Sequence, residues 1–299
     1  MPLDLDVARK VIQESLAEPM GLEVLRTAWG IYDLVCENMA SATRIHLAEK
    51  GEDPRKYCLV ATGGAGPLHA YHVARKLDIP RIICPLGAGV ASCIGMLVAP
   101  PKMDFVQSYP ARLETMDWGR LTQLYAQMEA EAKERLAEAG VSTERVTLTR
   151  TADMRYVGQG HEVAVALPDE DLHPKHLTRI REAFDESYRN TLGNLIPEAP
   201  IEVLNWRLLA QGPTRSSELD LRWRATEGSD SPLKGQRLVY FAEYGERREV
   251  AVYDRYRLPS SKSYHGPAIV EERESTTVVG PRASFYIDSN GNLVMELET

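Results

Sequence analysis

Residues Lys56 to Asp78 read KYCLVATGGAGPLHAYHVARKLD. An apolar run, Tyr57 to Ala61, enters the turn Thr62-Gly63-Gly64-Ala65-Gly66-Pro67, and a strongly helical run, Leu68 to Leu77, leaves it. The order is strand, glycine turn, helix. Glycine adopts positive φ and carries no Cβ, so a ligand can approach its backbone closely. Pro67 suits the first turn of a helix, where its missing N–H costs nothing. The helix start offers free N–H groups and the positive end of a dipole, which suits a nucleotide phosphate or ribose. Glycine turns of this kind also serve packing alone, and both readings stay open at this point.

The pattern repeats once downstream. Arg81 to Pro85 (RIICP) reads as a second strand, followed by the small-residue loop Gly87-Ala88-Gly89 and an apolar helix from Val90 to Val98. Two such units imply a parallel sheet covered by helices. Ligands bind outside the carboxyl ends of such strands, so the two loops are expected to flank one ligand. Upstream, residues 4–18 predict a helix with Val7, Val11, Ile12 and Leu16 on one face, broken by Pro19 and Gly21. Residues 22–49 predict a long amphipathic helix, with Val24, Ala28, Ile31, Val35, Met39, Ala42 and Ile45 recurring at helical steps. Asn38 sits beside that face. It either reaches toward a site or bonds to a neighbouring carbonyl.

Downstream, 104–112 reads as extended and 117–139 as a helix stopped by Gly140. Strands at 146–156 and 162–167 flank the turn Val157-Gly158-Gln159-Gly160-His161, and a helix at 175–191 precedes a strand at 201–210. Residues 213–236 are polar and loop-rich and read as a linker. The last part predicts strands at 237–241, 248–253, 268–271, 276–279, 284–287 and 293–297, with Asn290-Gly291 as a hairpin turn. The expected division is 1–103, 104–215 and 216–299.

Composition bounds the function. The 299 residues are 43% hydrophobic and 26% charged, an ordinary globular composition. A net charge of −8 and a pI near 5.5 argue against a nucleic-acid partner. No apolar run approaches the ~20 residues of a membrane helix, and the N-terminus MPLDLDVARK is no signal peptide. Cys36, Cys58, Cys84 and Cys93 show no CxxC spacing and read as buried, reduced thiols of a cytoplasmic protein. No metal site is expected. A Rossmann NAD site is disfavoured, because TGGAGP lacks the GxGxxG spacing and no acidic ribose partner follows at the end of a second strand.

The order of motifs is more specific than any one of them. GGAGPLHA (63–70), GAGVASCIGML (87–97), DMRYVGQGHEVAV (153–165) and VYDRYRLPSSKSYHGPAIVEERESTTVV (252–279) together resemble the hydantoinase A / 5-oxoprolinase family, which includes ATP-handling subunits of acetone and acetophenone carboxylases. The likeness runs from about residue 22 to the C-terminus. It implies the second, α/β lobe of an actin/Hsp70/sugar-kinase-like ATPase fold, followed by an α+β domain and a β-rich C-terminal domain. It also implies ATP with Mg²⁺, used to activate a carbonyl or bicarbonate oxygen, and a hydantoinase B-type partner subunit. Gly63, Gly64, Ala65 and Gly66 match the family's adenosine-holding turn, with Gly87, Gly89 and Asn38 as further cofactor-binding candidates. Family members are usually more than twice as long and begin with a lobe carrying an Asp-x-Gly-Gly-Thr-like phosphate loop, which is not found here. The chain therefore reads as the C-terminal part alone: a naturally split subunit, a stand-alone small subunit, or a truncated piece of a longer protein. The phosphate loop and the Mg²⁺-organising carboxylate would then come from another chain. The rival reading is a non-catalytic assembly or regulatory subunit. Thr62 stands where the family often has an aromatic, and Cys93 where it usually has Ala.

Other polar groups receive plainer readings. Asp153, Arg155, Tyr156, Gln159, His161 and Glu162 crowd one turn and read as a hydrogen-bonded packing turn rather than an acid–base site. His69 is expected to pack at the helix start and His72 to lie at the surface. Glu271, Glu272 and Glu274 read as a solvated strand edge. Trp29, Trp118, Trp206 and Trp223 read as core or interface anchors. Ser92 and Ser275 show no nucleophile triad.

Overall fold

The computed structural model describes residues 4–214, 231–260 and 262–298. Trp223 and most of the expected linker lie outside them. The chain divides into two compact units, Met1–Met96 with Asp220–Thr299, and Leu97–Leu219. It is a mixed α/β protein with three sheets.

In the first unit, α1 (Leu5–Ile12) is capped by the Asp4 carboxylate, which accepts from the Asp6 and Val7 amides at 3.0 Å. Pro19 does not end the helical run. The chain passes through a π-turn (Gln13–Ala17) and a further turn, α2 (Glu18–Met20), and stops at Gly21 with φ 65°. The long α3 (Val24–Glu49) follows, then β1 (Cys58–Val60), α4 (Gly66–Leu77), β2 (Arg81–Cys84) and α5 (Ala91–Val98).

The expected apolar faces of α1 and α3 are not the buried ones. α1 buries no side chain, and Ile31, Val35, Met39 and Ile45 of α3 are exposed. What α3 buries is Thr27, Cys36 and Ala40. It turns this narrower stripe toward α4, because the small Cys36 and Ala40 let the two helices approach closely.

β1 and β2 pair in parallel, as expected, but the sheet is mixed. β13 (Leu293–Leu297) runs antiparallel along the other edge of β2, followed by β12 (Ala283–Ile287) and β9 (Tyr264–His265). Two strands expected in a separate C-terminal domain, β12 and β13, with the short β9 that was not expected, thus complete the sheet that β1 and β2 begin. Tyr71, Ala74 and Leu77 of α4 bury against Ile82, Phe285, Leu293 and Met295. A second sheet has the order β11 (Thr276–Val279), β10 (Ala268–Glu271), β8 (Glu246–Asp254) and β7 (Leu233–Phe241). β7 starts at residue 233, inside the stretch expected to be linker.

The second unit is a four-stranded antiparallel sheet, β3 (Lys102–Arg112), β6 (Ile201–Gln211), β4 (Thr147–Tyr156) and β5 (Val163–Ala166), with α6 (Trp118–Glu138) and α7 (Leu177–Leu192). Asp117 caps α6 by accepting from the Arg120 amide at 3.0 Å. Leu121, Tyr125, Met128, Ala132 and Leu136 recur at helical spacing and bury against Ala152, Met154, Trp206 and Leu208. Trp206 is fully buried, its ring edge-on to Tyr125 at 6.3 Å and its Nε1 donating to the Tyr109 carbonyl at 3.0 Å.

Candidate functional site

The site is built where β1 and β2 end. The Ala61 amide donates to the Ile83 carbonyl at 2.9 Å, closing the parallel pair. The chain then turns through Gly63, at φ 87°, and enters α4 at Gly66. Ala65, the cap residue, has no side chain able to bond the first-turn amides of α4. After β2 the chain turns again through Gly87, at φ 69°. The two loops are joined directly: the Gly63 amide donates to the Ala88 carbonyl at 2.8 Å.

The glycines do different jobs. A Cβ at Gly63 would meet no atom within 4 Å, so this face opens on free space, and its positive φ alone demands glycine. A Cβ at Gly89 would lie 2.5 Å from the Glu274 carbonyl oxygen, and one at Gly64 would lie 3.7 Å from it. The space over Gly89 is therefore used by the chain itself. Gly63 to Gly66 with Gly87 to Gly89 form one wall. Asn38 is exposed on α3, and among the described residues no hydrogen bond ties it to that wall. Its neighbour Glu37 pairs with Lys76 at 3.1 Å, near the far end of α4. The first turns of α4 meet α3 elsewhere, the Tyr32 hydroxyl donating to the Leu68 carbonyl at 2.9 Å.

Glu274 belongs to the tip between β10 and β11, closed by the Glu272 amide donating to the Ser275 carbonyl at 2.9 Å. Arg273 and Glu274 are exposed here, but Glu272 does not lie on a solvated edge. The Glu272 side chain is 0% exposed and pairs with Arg255, equally buried. Burial pushes the Glu272 carboxyl above its ordinary value despite Arg255 beside it. Arg255 also donates through Nη2 to the carbonyls of Cys84, at 2.7 Å, and Gly291, at 3.0 Å. Nothing local in the sequence marks this pair. Glu271, by contrast, pairs at the surface with Lys234 and Arg237.

His72 is buried, not at the surface. Its Nδ1 lies 3.1 Å from the Tyr32 hydroxyl and its Nε2 3.7 Å from Glu243. His69 stacks on Tyr32 with ring centroids 4.9 Å apart. In the second unit the crowded turn is dispersed. Asp153 bonds Arg207 and Asn205, Arg155 bonds Glu202, Gln159 accepts from Tyr188, and His161 and Glu162 are exposed. No acid–base pair assembles there.

Two of the four thiols are buried and two, Cys58 on the edge strand β1 and Cys93, are exposed. Burial pushes the Cys84 thiol up to about 11 and raises Cys36 as well. Iodoacetamide at pH 8 is expected to label Cys93 and Cys58 and to spare Cys84 and Cys36. Labelling of Cys84 as fast as Cys93, read by peptide mass spectrometry, would show that the sheet opens.

Among the described residues no helix is long and apolar enough to cross a membrane. The family model described as "Hydantoinase/oxoprolinase" matches residues 1–104, and that described as "Hydantoinase/oxoprolinase C-terminal domain" matches 111–297. The acetophenone carboxylase gamma subunit of Aromatoleum aromaticum is 27% identical over 308 residues, covering 99% of this chain and 42% of the relative. A nucleotide-free acetone carboxylase structure superposes with a TM-score of 0.75 at 22% identity, covering 100% of this chain and 43% of that one. The structure of an ATP-dependent caprolactamase from Pseudomonas jessenii does so with a TM-score of 0.71 at 25% identity, covering 99% and 43%. The chain spans less than half the length of these proteins.

Proposed function

The chain belongs to the hydantoinase/oxoprolinase family, and we propose that it contributes the adenosine-binding lobe of an ATP-dependent hydantoinase or ketone-carboxylase-type complex. In this reading the first unit is the second lobe of an actin/Hsp70/sugar-kinase-like ATPase. ATP activates a carbonyl or bicarbonate oxygen as a phosphate ester or anhydride. The observation that carries the reading is the open glycine wall at the carboxyl ends of two parallel strands, with Gly63 facing free space and the amino end of α4 beside it. Gly63, Gly64, Ala65 and Gly66 line the adenosine, Gly87 and Gly89 hold the second loop against them, and Asn38 stands on the helix that packs against α4.

Mg²⁺ would enter with the phosphates, which supply part of its ligand set. Among the described residues no group of three His, Cys, Asp or Glu side chains is gathered to hold a metal ion. The reading assigns the metal's carboxylate to a chain carrying the first ATPase lobe. Such a chain, or a hydantoinase B-type subunit, has apolar surface to meet. α1 buries no side chain, and Leu34 and Ile45 of α3 are 61% and 62% exposed.

Isothermal titration with ADP tests the reading. The chain is expected to bind ADP, and Gly63→Val, which forces a branched side chain into positive φ, is expected to weaken binding at least about tenfold. Equal affinity in the two proteins would remove the glycine turn from the site. One observation favours the rival reading, a non-catalytic assembly subunit: the Glu274 main chain already packs on Gly89 and approaches Gly64. Mixing with a candidate first-lobe chain separates the two. ATP hydrolysis that appears only in the mixture supports the catalytic reading, and none at any ratio supports the rival.

A further inference from the structure

Four segments distant in sequence meet at one guanidinium. Cys84 is the last residue of β2, and the loop that follows it carries the Ala88 carbonyl bonded to Gly63. Gly291 lies in the turn between β12 and β13, where the Asn292 amide donates to Asp288 at 2.8 Å. Glu272 opens the tip whose Glu274 carbonyl lies over Gly89. Arg255 donates to Cys84 and Gly291 and pairs with Glu272, and neither Arg255 nor the Glu272 side chain reaches solvent.

The chemistry explains why the residue is arginine. Three acceptors at different angles need a planar, multidentate donor, and a lysine ammonium supplies only a point charge. A buried ion pair of this kind adds little net stability compared with an apolar pair of similar volume. Its value lies in geometry: it ties the end of β2, the β12–β13 turn and the 272–275 tip into one register. Glu272 Oε2 and Arg255 Nε have no hydrogen-bond partner among the described residues, so the pair is held by these contacts and by packing.

We propose that Arg255, with Glu272, is the positioning residue of the glycine wall. It sets where the 85–89 loop and the Glu274 carbonyl stand relative to Gly63 and Gly64, and it acts through them without touching a ligand. The consequence for nucleotide affinity rests on the adenosine reading above; the consequence for loop geometry does not.

The test separates positioning from stability. In the full chain, Arg255→Met with Glu272→Met replaces the buried pair by apolar side chains, a change that leaves global stability close to wild type. The urea midpoint is expected to hold, while amide exchange at residues 62–66 and 86–90 speeds up at least about tenfold and ADP affinity falls at least about tenfold. Unchanged exchange in those two segments overturns the proposal, and so does faster exchange spread evenly over both units. Should the double variant fail to fold, Arg255→Lys keeps the charge beside Glu272 and loses the fork, and the same local rise in exchange is expected. Should the wild-type chain bind no ADP, the adenosine reading fails and the exchange comparison alone decides for or against positioning.

Discussion

Arg255→Met made alone is expected to cost about 3–5 kcal/mol of folding stability at pH 8, because it strands a buried carboxylate. The Glu272 side chain is 0% exposed, and Arg255 supplies its only ion pair among the described residues. The Cys84 and Gly291 carbonyls lose a donor in the same step. The loss carries a pH signature. Burial already raises the Glu272 carboxyl, and removing the guanidinium raises it further. A carboxyl whose pKa is higher folded than unfolded binds protons more readily in the folded state, so its penalty grows as pH rises above the ordinary glutamate value of about 4.3. The gap between variant and wild type should shrink as pH falls from 8 toward 5, and Glu272→Gln added to the variant should flatten that dependence. Urea midpoints across this range provide the check, and a variant as stable as wild type at pH 8 would show that the carboxylate is not buried as described.

Trp206→Ala is expected to be as damaging in the other unit, at about 3–5 kcal/mol. Trp206 is fully buried on β6, one of the two inner strands of its sheet, facing α6 and packed edge-on against Tyr125. Truncation leaves a cavity the sheet cannot close, and it leaves the Tyr109 carbonyl without its indole donor. Trp206→Phe keeps most of the volume and should cost distinctly less. Chemical denaturation followed by circular dichroism measures both, and an alanine variant within about 1 kcal/mol of wild type would contradict the packing described.

Legibility in the sequence followed the range of the interactions involved. The β1–turn–α4 unit, α6 and the β4–β5 hairpin are written in local patterns: glycine and proline at fixed places, periods of 3.6 and 2. The same locality misleads for α3, whose most hydrophobic stripe is exposed while the smaller residues Cys36 and Ala40 are buried. Hydrophobicity marks a face that wants cover, and it does not say which neighbour covers it. The pairing of β13 with β2 joins residues far apart in the chain and leaves no nearby trace. Around the glycine turns, the turns themselves are legible, but the buried Arg255–Glu272 pair beside them is not. Glu272 sits in a run with Glu271, Arg273 and Glu274 that reads as solvated, and only the fold turns one of the four inward.

The long reach of Arg255 also sets a timetable. It is made 171 residues after Cys84, so a ribosome working at ~5–20 residues per second delivers it roughly 10–30 s later. Until then the growing chain holds both glycine turns without the arginine, the acidic tip or the final strands that frame them. The glycine turns are made first and framed last, and until β13 is made β2 keeps one edge unpaired.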